Sequence, residues 1–135
     1  MSEENLDLVR RAVSAYSRGD LDGLFEDWAP DAVLDWSNSR GLDARVFHGL
    51  DEIRSFTERF IGSFDAIRID LEDVFEITEG VVIAENVVHV RGRDGIEAQA
   101  RSTWLITIRD GRQTSLTLFQ TREEALGAAD RSDAT

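Results

Sequence analysis

The sequence contains no cysteine, and this absence removes several kinds of protein and site. A disulfide framework, a thiolate nucleophile and a zinc site built from thiolates are all excluded. Basic residues are also scarce, because 15 of them stand against 27 acidic residues and leave a formal net charge of −12. Nucleic acids and anionic membrane surfaces are bound by basic surfaces, so the charge argues against both partners.

Long apolar runs are missing as well, and none approaches the length of a membrane span. The N-terminus lacks a basic region followed by an apolar core, so a cleaved signal is not expected. We therefore expect a cytoplasmic protein. A chain of 135 residues is long enough for one domain with a sizeable core, and we assign residues 1–135 to a single domain whose tail frays from about residue 128.

The first half of the chain has the apolar spacing of helices. A first helix is predicted to end at Gly19, since apolar side chains recur at every third or fourth position before it: Leu6, Val9, Val13 and Tyr16. Asp20 is placed to cap a second, short helix, which reaches the core-facing Trp28 and is closed by Pro30. A strand over Ala32–Ser37, a polar loop and a third helix from about Leu50 to Ile61 follow.

The second half is rich in β-branched residues and is divided by Asp-Gly pairs, which are typical of hairpin turns. Four long strands are predicted: Ile67–Thr78, Val81–Arg91, Ile96–Arg109 and Gln113–Thr121. Strands of this length twist and curl. The sequence thus predicts an α+β fold in which a cone-shaped, strongly curved, mainly antiparallel sheet wraps around three helices of the N-terminal half and leaves a cavity at its wide end.

Alternation along the strands predicts which side chains face this cavity. The inward set is Ala84, Asn86, Val88, Val90, Ala98, Ala100, Ser102, Trp104, Ile106, Leu116, Leu118 and Gln120. The outward set is polar and suits a wet dimer interface: Glu85, His89, Arg91, Glu97, Gln99 and Arg101. Thr103 is also expected on the outer surface. An apolar cavity with few polar groups suits a small hydrophobic molecule with polar substituents.

Asp35 is a carboxylate within an otherwise apolar strand. Burial of an unpaired carboxylate is costly, so the residue is either compensated or used. It is a candidate general base whose pKa apolar neighbours would raise; the alternative is a solvated acid capped by Ser37 or Asn38. His48, expected in a loop, and His89 are two separated histidines without paired carboxylate spacing, so no metal is expected.

Four segments resemble one known family: YSRGDLDGLFEDWAPDAVLDW, FHGLDEIRSF, TWLITIRDGR and LFQTREEAL. They are similar to the SnoaL-like branch of the nuclear-transport-factor-2-like superfamily, which also includes ketosteroid isomerases, polyketide cyclases and limonene epoxide hydrolases. The similarity extends over about residues 5 to 127. It implies a cystatin-like α+β roll, a homodimer and no cofactor.

The resemblance places Asp35 at the position of the isomerase general base. Ala12 and Trp104 stand where the isomerases have a tyrosine and an acid, and Tyr16 lies one helical turn after Ala12. Two interpretations remain open: a pocket protein that acts as an isomerase or cyclase with Asp35 as base, and a non-catalytic ligand-binding or dimerisation module. Besides Asp35, the candidate ligand-binding residues are Tyr16, Asn86, Ser102, Trp104, Leu116, Leu118 and Gln120.

Overall fold

The structure, a computed structural model, describes residues 2–39 and 44–133. Its helices are α1 (Ser2–Ser17), α2 (Leu21–Phe25), α3 (Leu50–Gly62) and α4 (Arg122–Asp133). Its strands are β1 (Trp28–Asp35), β2 (Val46–His48), β3 (Ala66–Thr78), β4 (Val81–Arg91), β5 (Glu97–Arg109) and β6 (Arg112–Phe119). None of the helices in these described ranges is long and apolar enough to cross a membrane.

One six-stranded sheet in the order β2-β1-β6-β5-β4-β3 forms the frame of the fold. Strands β3 to β6 make the predicted antiparallel meander, and Gly95 and Gly111 have the positive φ angles, 85° and 76°, that its tight turns require. β1 runs parallel to β6, which makes the sheet mixed. The predicted α+β fold with a curved, mainly antiparallel sheet is confirmed.

Helices α1, α2 and α3 pack on one face of this sheet, where the main core lies. The first helix ends as predicted. The backbone amide of Gly19 donates to the carbonyl of Tyr16, and the backbone amide of Asp20 donates to the carbonyl of Ala15, so the last turn is closed. Asp20 then caps α2, because its carboxylate accepts a hydrogen bond from the Gly23 amide at 3.0 Å. The two helices are therefore held at a sharp corner.

The second helix is shorter than predicted. It ends at Phe25, and Trp28 begins β1 instead of closing the helix. Pro30 therefore lies inside a strand. The pairing of β1 with β6 shifts register between Trp28 and Val33, so Pro30 falls where no ladder hydrogen bond is needed from it.

The strand β2 is absent from the sequence prediction, which had a loop there. It pairs with β1 through Val33↔His48 and Leu34↔Phe47, so His48 lies in a strand and its assignment to a loop is wrong. Phe47 is only 1% exposed and stacks on Phe56, with 4.3 Å between ring centroids. A strand of three residues carries too little alternation to be recognised in a sequence.

Helix α4 lies on the opposite, outer face of the sheet. Ala125 and Ala129 are buried there against Ile83 and Leu105, and the helix continues to Asp133, beyond the point where fraying was expected. Arg122 in the first turn of α4 holds the helix to the sheet. Its guanidinium donates to the Glu85 carboxylate at 2.6 and 3.0 Å and to the Asp73 carboxylate at 2.5 Å. It also lies over the ring of Phe75.

Part of the predicted dimer face is thereby covered, since Glu85 belongs to it. Thr103, expected on the outer surface, is 3% exposed. His89 lies 3.0 Å from Asp70, and Arg101 is paired with Glu72. The homodimer stays a prediction. The part of the outer sheet face that α4 does not cover is polar and remains available for such an interface.

Candidate functional site

A cavity of about 800 Å³ lies between α1–α3 and the sheet. Its wall is mostly apolar and aromatic, with residues from these three helices and from β1, β3, β4, β5 and β6. Six of the eight predicted site residues line it: Tyr16, Ser102, Trp104, Leu116, Leu118 and Gln120. For the four strand residues and for Gln120, which directly follows β6, this position agrees with the alternation argument, and Tyr16 reaches the cavity from α1. A ligand contact for any of the six stays a prediction.

Asp35 is not among the lining residues that the structure describes. Leu34 and Trp36 on either side of it both line the cavity, and side chains alternate along a strand, so Asp35 belongs to the other face. Its half-buried carboxylate accepts hydrogen bonds from the Ser37 amide at 3.0 Å and hydroxyl at 2.5 Å. The expectation that Asp35 looks into the cavity is therefore wrong, and the alternative of a Ser37-capped acid is the one observed.

Asn86 and Ser102 satisfy each other. The Ser102 hydroxyl donates to Asn86 Oδ1 at 3.1 Å, and the Asn86 amide donates to the carbonyls of Ala84 and Ser102 at 3.3 Å each. Asn86 is 1% exposed and does not line the cavity. This pair serves the strand pairing of β4 and β5, so the polar groups predicted from alternation are already used.

Tyr16 presents a phenol at the cavity end of α1. No hydrogen bond of its hydroxyl to any described residue is present, and burial raises the pKa of Tyr16 above its usual value of 10.0. The phenol is therefore a neutral donor at physiological pH. Since the chain has one tyrosine, this group can be followed without ambiguity.

We expect the ultraviolet absorbance of tyrosinate to appear in the native protein only well above pH 10, and near pH 10 in concentrated urea. A native pKa raised above the unfolded one means that the unfolded chain releases its proton first. The free energy of unfolding should thus fall as the pH rises above 10, a trend that Tyr16→Phe should remove. Coincident native and unfolded titration curves would contradict the burial of this hydroxyl.

Three side-chain nitrogens of residues in the wall lack a partner in the described part of the chain; of these residues Trp104 was predicted as a ligand contact, and Trp28 and Gln113 were not. Trp28 Nε1, Trp104 Nε1 and Gln113 Nε2 are buried and have no hydrogen-bond partner within the described residues. All three residues line the cavity, at 5%, 6% and 2% exposure. Trp104 was expected as a cavity wall, and Trp28 only as core.

Gln113 escaped the alternation argument because of an irregularity in the sheet. The register of β5 and β6 shifts between Thr107 and Ile108, so that Thr107 pairs with Ser115 but Ile108 pairs with Gln113. Because of this shift, the residues of β6 before Ser115 point to the sheet face opposite to the one that simple alternation predicts. Gln113 consequently shares the inner face with Leu116 and Leu118.

The mouth of the cavity is more polar. Gln120 donates to the carbonyl of Asn38 at 2.8 Å, and Asn38 donates to that of Leu118 at 3.0 Å, which ties the loop after β1 to the end of β6. Gln99 and Arg101, expected to face outward, reach this rim because the outer half of β5 has no partner on its β6 side. Arg101 is the one charged residue among the described lining residues.

No aspartate, glutamate or histidine occurs among the lining residues that the structure describes. Likewise, nowhere in residues 2–39 and 44–133 do three such metal-ligating side chains come together. The described cavity wall therefore offers hydrogen-bond donors and apolar surface, and among its described residues it offers neither a carboxylate nor an imidazole base.

Residues 9–116 match the sequence profile of the SnoaL-like domain. The uncharacterised protein Rv0034 of Mycobacterium tuberculosis is 36% identical over 119 residues, which cover 87% of this chain and 88% of that protein. Two solved structures show the same fold. Bal32a, from a soil-derived mobile gene cassette, has a TM-score of 0.79 at 22% identity, covering 92% of this chain and 94% of its own. RV0760c from Mycobacterium tuberculosis, in complex with estradiol-17beta-hemisuccinate, has a TM-score of 0.75 at 15% identity, covering 91% and 97%.

Proposed function

Because this chain belongs to the SnoaL-like domain family, we propose that it binds a small hydrophobic molecule with polar substituents in the cavity between its helices and its sheet. The observation that carries the proposal is the cavity itself. A volume of about 800 Å³ is within the usual range for ligand pockets. A mostly apolar wall with a few convergent polar groups is the usual composition of such a site.

The crystal structure of RV0760c supports the same class of ligand. That protein shares the fold and holds estradiol-17beta-hemisuccinate, an apolar body with polar ends. The cavity of the present chain has aromatic walls on several sides, with Trp28, Trp36 and Trp104 among them. Flat aromatic surfaces of this kind favour rigid, ring-containing molecules, because contact area is gained with little loss of conformational freedom.

Binding is a better description of this site than general-base catalysis. A general base must come within hydrogen-bond reach of the proton that it removes. Asp35, the candidate base, lies on the other face of β1 and is held by Ser37. The remaining titratable groups at the described wall are Tyr16, a neutral phenol, and Arg101, a cation. Neither accepts a proton at neutral pH.

A thermal-shift assay with estradiol hemisuccinate and anilinonaphthalene sulfonate tests the proposal. A ligand present at about 100 times its Kd stabilises the folded state by about 2.7 kcal/mol, which corresponds to a rise of about 10 °C in Tm for a domain of this size. We expect at least one of the two probes to raise Tm in a saturable manner. Failure of both at their solubility limits would contradict the proposed pocket.

We expect Asp35→Asn to leave the affinity of a bound probe within about twofold of the wild-type value, because the carboxylate lies away from the cavity. Titration calorimetry with the best probe of the thermal-shift assay measures this. Tyr16→Phe is the matched comparison, since it removes one oxygen from a residue that lines the cavity. A loss of tenfold or more in Asp35→Asn would restore the hypothesis of a direct role for this acid.

A further inference from the structure

The first half of β5 has a free edge. β5 pairs with β4 from Glu97 to Thr107, but its pairing with β6 begins only at Thr103. Residues 97–102 therefore have no strand beside them on the β6 side in the described part of the chain. Residues 97–101 are all exposed, and Ile96 before them is 67% exposed. An unpaired strand edge is a template for pairing with another strand.

The backbone groups at this edge belong to the odd-numbered residues. Gly92, on the β4 side of the turn, donates to the carbonyl of Ile96, and β4 and β5 then pair without a register shift. Hydrogen-bonding groups point to alternate sides along a strand, so the even-numbered residues face β4. The amides and carbonyls of Glu97, Gln99 and Arg101 therefore point to the free edge.

We propose that a second copy of this chain occupies this edge, with the two β5 strands antiparallel around a twofold axis at Gln99. The edge is complementary to itself in this register. Glu97 of each copy lies opposite Arg101 of the other, Ala98 lies opposite Ala100, and Gln99 lies opposite its counterpart. Opposite charges directly across an antiparallel pair attract each other, and any other register loses both pairs. This interface goes beyond the proposed ligand site and does not depend on it.

The backbones of the two edges fit the same axis. Each of Glu97, Gln99 and Arg101 presents its N–H and its C=O, so each donates one hydrogen bond to the other copy and accepts one from it. The gap beside β5 has the matching length. β6 stops opposite Thr103, and pairing around Gln99 places Ile96 of the second copy one position before Thr103. The added strand thus fills the gap that β6 leaves.

The charged side chains at the edge are available for this pairing. Glu97 makes no hydrogen bond or ion pair with the described residues. Arg101 is paired with Glu72 of its own chain, but its side chain remains 67% exposed. A guanidinium has five N–H donors and can bind two carboxylates. Edges are usually protected by proline, by a bulge or by charges of one sign, and this edge has two charges of opposite sign instead.

The edge is also held in place before pairing. In the turn that precedes β5, Arg93 donates to the carbonyl of Gly62 at 2.7 Å, which ties the hairpin to the end of α3. On the cavity side the paired residues are Ala98 and Ala100, and their small side chains leave the mouth of the cavity open. The second copy therefore extends the sheet without closing the proposed ligand site.

Sedimentation equilibrium of the intact protein tests the proposal. Each copy carries a net charge of −12, so the runs are made at about 0.15 M salt, where the Debye length is about 8 Å. The interface is small, and we expect a reversible dimer with a micromolar Kd. Gln99→Pro should raise that Kd at least about tenfold, because it removes an N–H that faces the edge and spares the β4 ladder. Gln99→Thr keeps this N–H and should stay within about threefold of the wild type.

Charge reversal tests the register. Glu97→Arg and Arg101→Glu each put like charges opposite each other twice, so each variant alone should be monomeric at concentrations where the wild type is a dimer. An equimolar mixture restores both opposite-charge pairs and should form a dimer with one copy of each variant. Glu79→Arg is the matched control, since it makes the same change of charge in the exposed turn between β3 and β4. It should dimerise like the wild type.

A wild type that stays monomeric at high micromolar concentration would overturn the proposal. So would a dimer that tolerates Gln99→Pro and both charge reversals, because its interface would then lie elsewhere, as on the outer sheet face. Circular dichroism checks that each variant folds. Should Gln99→Pro fail to fold, the mixing experiment decides alone, and should Arg101→Glu fail, the Gln99 variants decide. Ligand binding enters none of these measurements, so the proposed function stands or falls separately.

Discussion

Ala100→Trp is expected to reduce the affinity for any cavity ligand by about 100-fold, equivalent to about 2.7 kcal/mol. Ala100 lies on β5 and lines the cavity, yet its side chain is exposed because the mouth is open there. Its neighbour across the ladder, Val88, also lines the cavity. An indole at this position occupies the entrance and the space that a ligand would fill.

The fold should tolerate this change. Ala100 is not part of the packed core, so the substitution crowds no buried neighbour and should alter the free energy of unfolding by less than about 1 kcal/mol. Glu97→Trp is the matched control: it adds the same indole to an exposed residue of the same strand that does not line the cavity. Titration calorimetry should show loss in the first variant and less than twofold change in the second. Wild-type affinity in Ala100→Trp would place the ligand elsewhere.

Long, regular segments are what the sequence predicts well here. β4 has the predicted bounds, and the register of β4 with β5 pairs Asn86 with Ser102 and Ala84 with Trp104 as alternation requires. The Asp-Gly turns determine this register, because a tight turn leaves no freedom to slide the strands. The inner face of the meander, and hence most of the cavity wall, follows from it.

Short or irregular segments are where prediction from sequence failed. Asp35 was assigned to the cavity because an acid in an apolar strand is unusual, but its face depends on the pairing of β1 with β2 and β6. β2 has three residues and gave no recognisable pattern. Gln113 was missed for a related reason, since one register shift between β5 and β6 reverses its side.

The hydrogen-bonding state of the polar groups predicted at the cavity could not be read from the sequence for a third reason. A sequence shows that Asn86, Ser102 and Gln120 can make hydrogen bonds, but whether they are already satisfied depends on tertiary contacts. In the fold Asn86 and Ser102 bind each other. The indole nitrogen of Trp104, which was predicted to need a partner, has none among the described residues, and neither has that of Trp28, which was predicted as core. The candidate site is therefore a mostly apolar cavity with no carboxylate among its described lining residues.

Phe47→Ala is expected to cost about 3–5 kcal/mol of stability, a large share of the 5–15 kcal/mol typical of a domain. Phe47 is 1% exposed, its ring stacks on Phe56, and the Arg45 guanidinium lies 4.6 Å from its centroid on the outer side. Removal of the ring leaves a cavity that a three-residue strand, held by neighbours on one side, has few contacts to refill.

Urea unfolding measures this loss, and Val46→Ala is the control, because Val46 precedes Phe47 in β2 but is 37% exposed. That variant should lose less than about 1 kcal/mol. If Phe47→Ala does not fold, Phe47→Leu should still fold with a smaller loss of about 1–2 kcal/mol. Equal losses at the two positions would mean that β2 is a surface strand. A selective loss at Phe47 would show that this short strand is part of the core that holds α3, and with it one wall of the cavity, against β1.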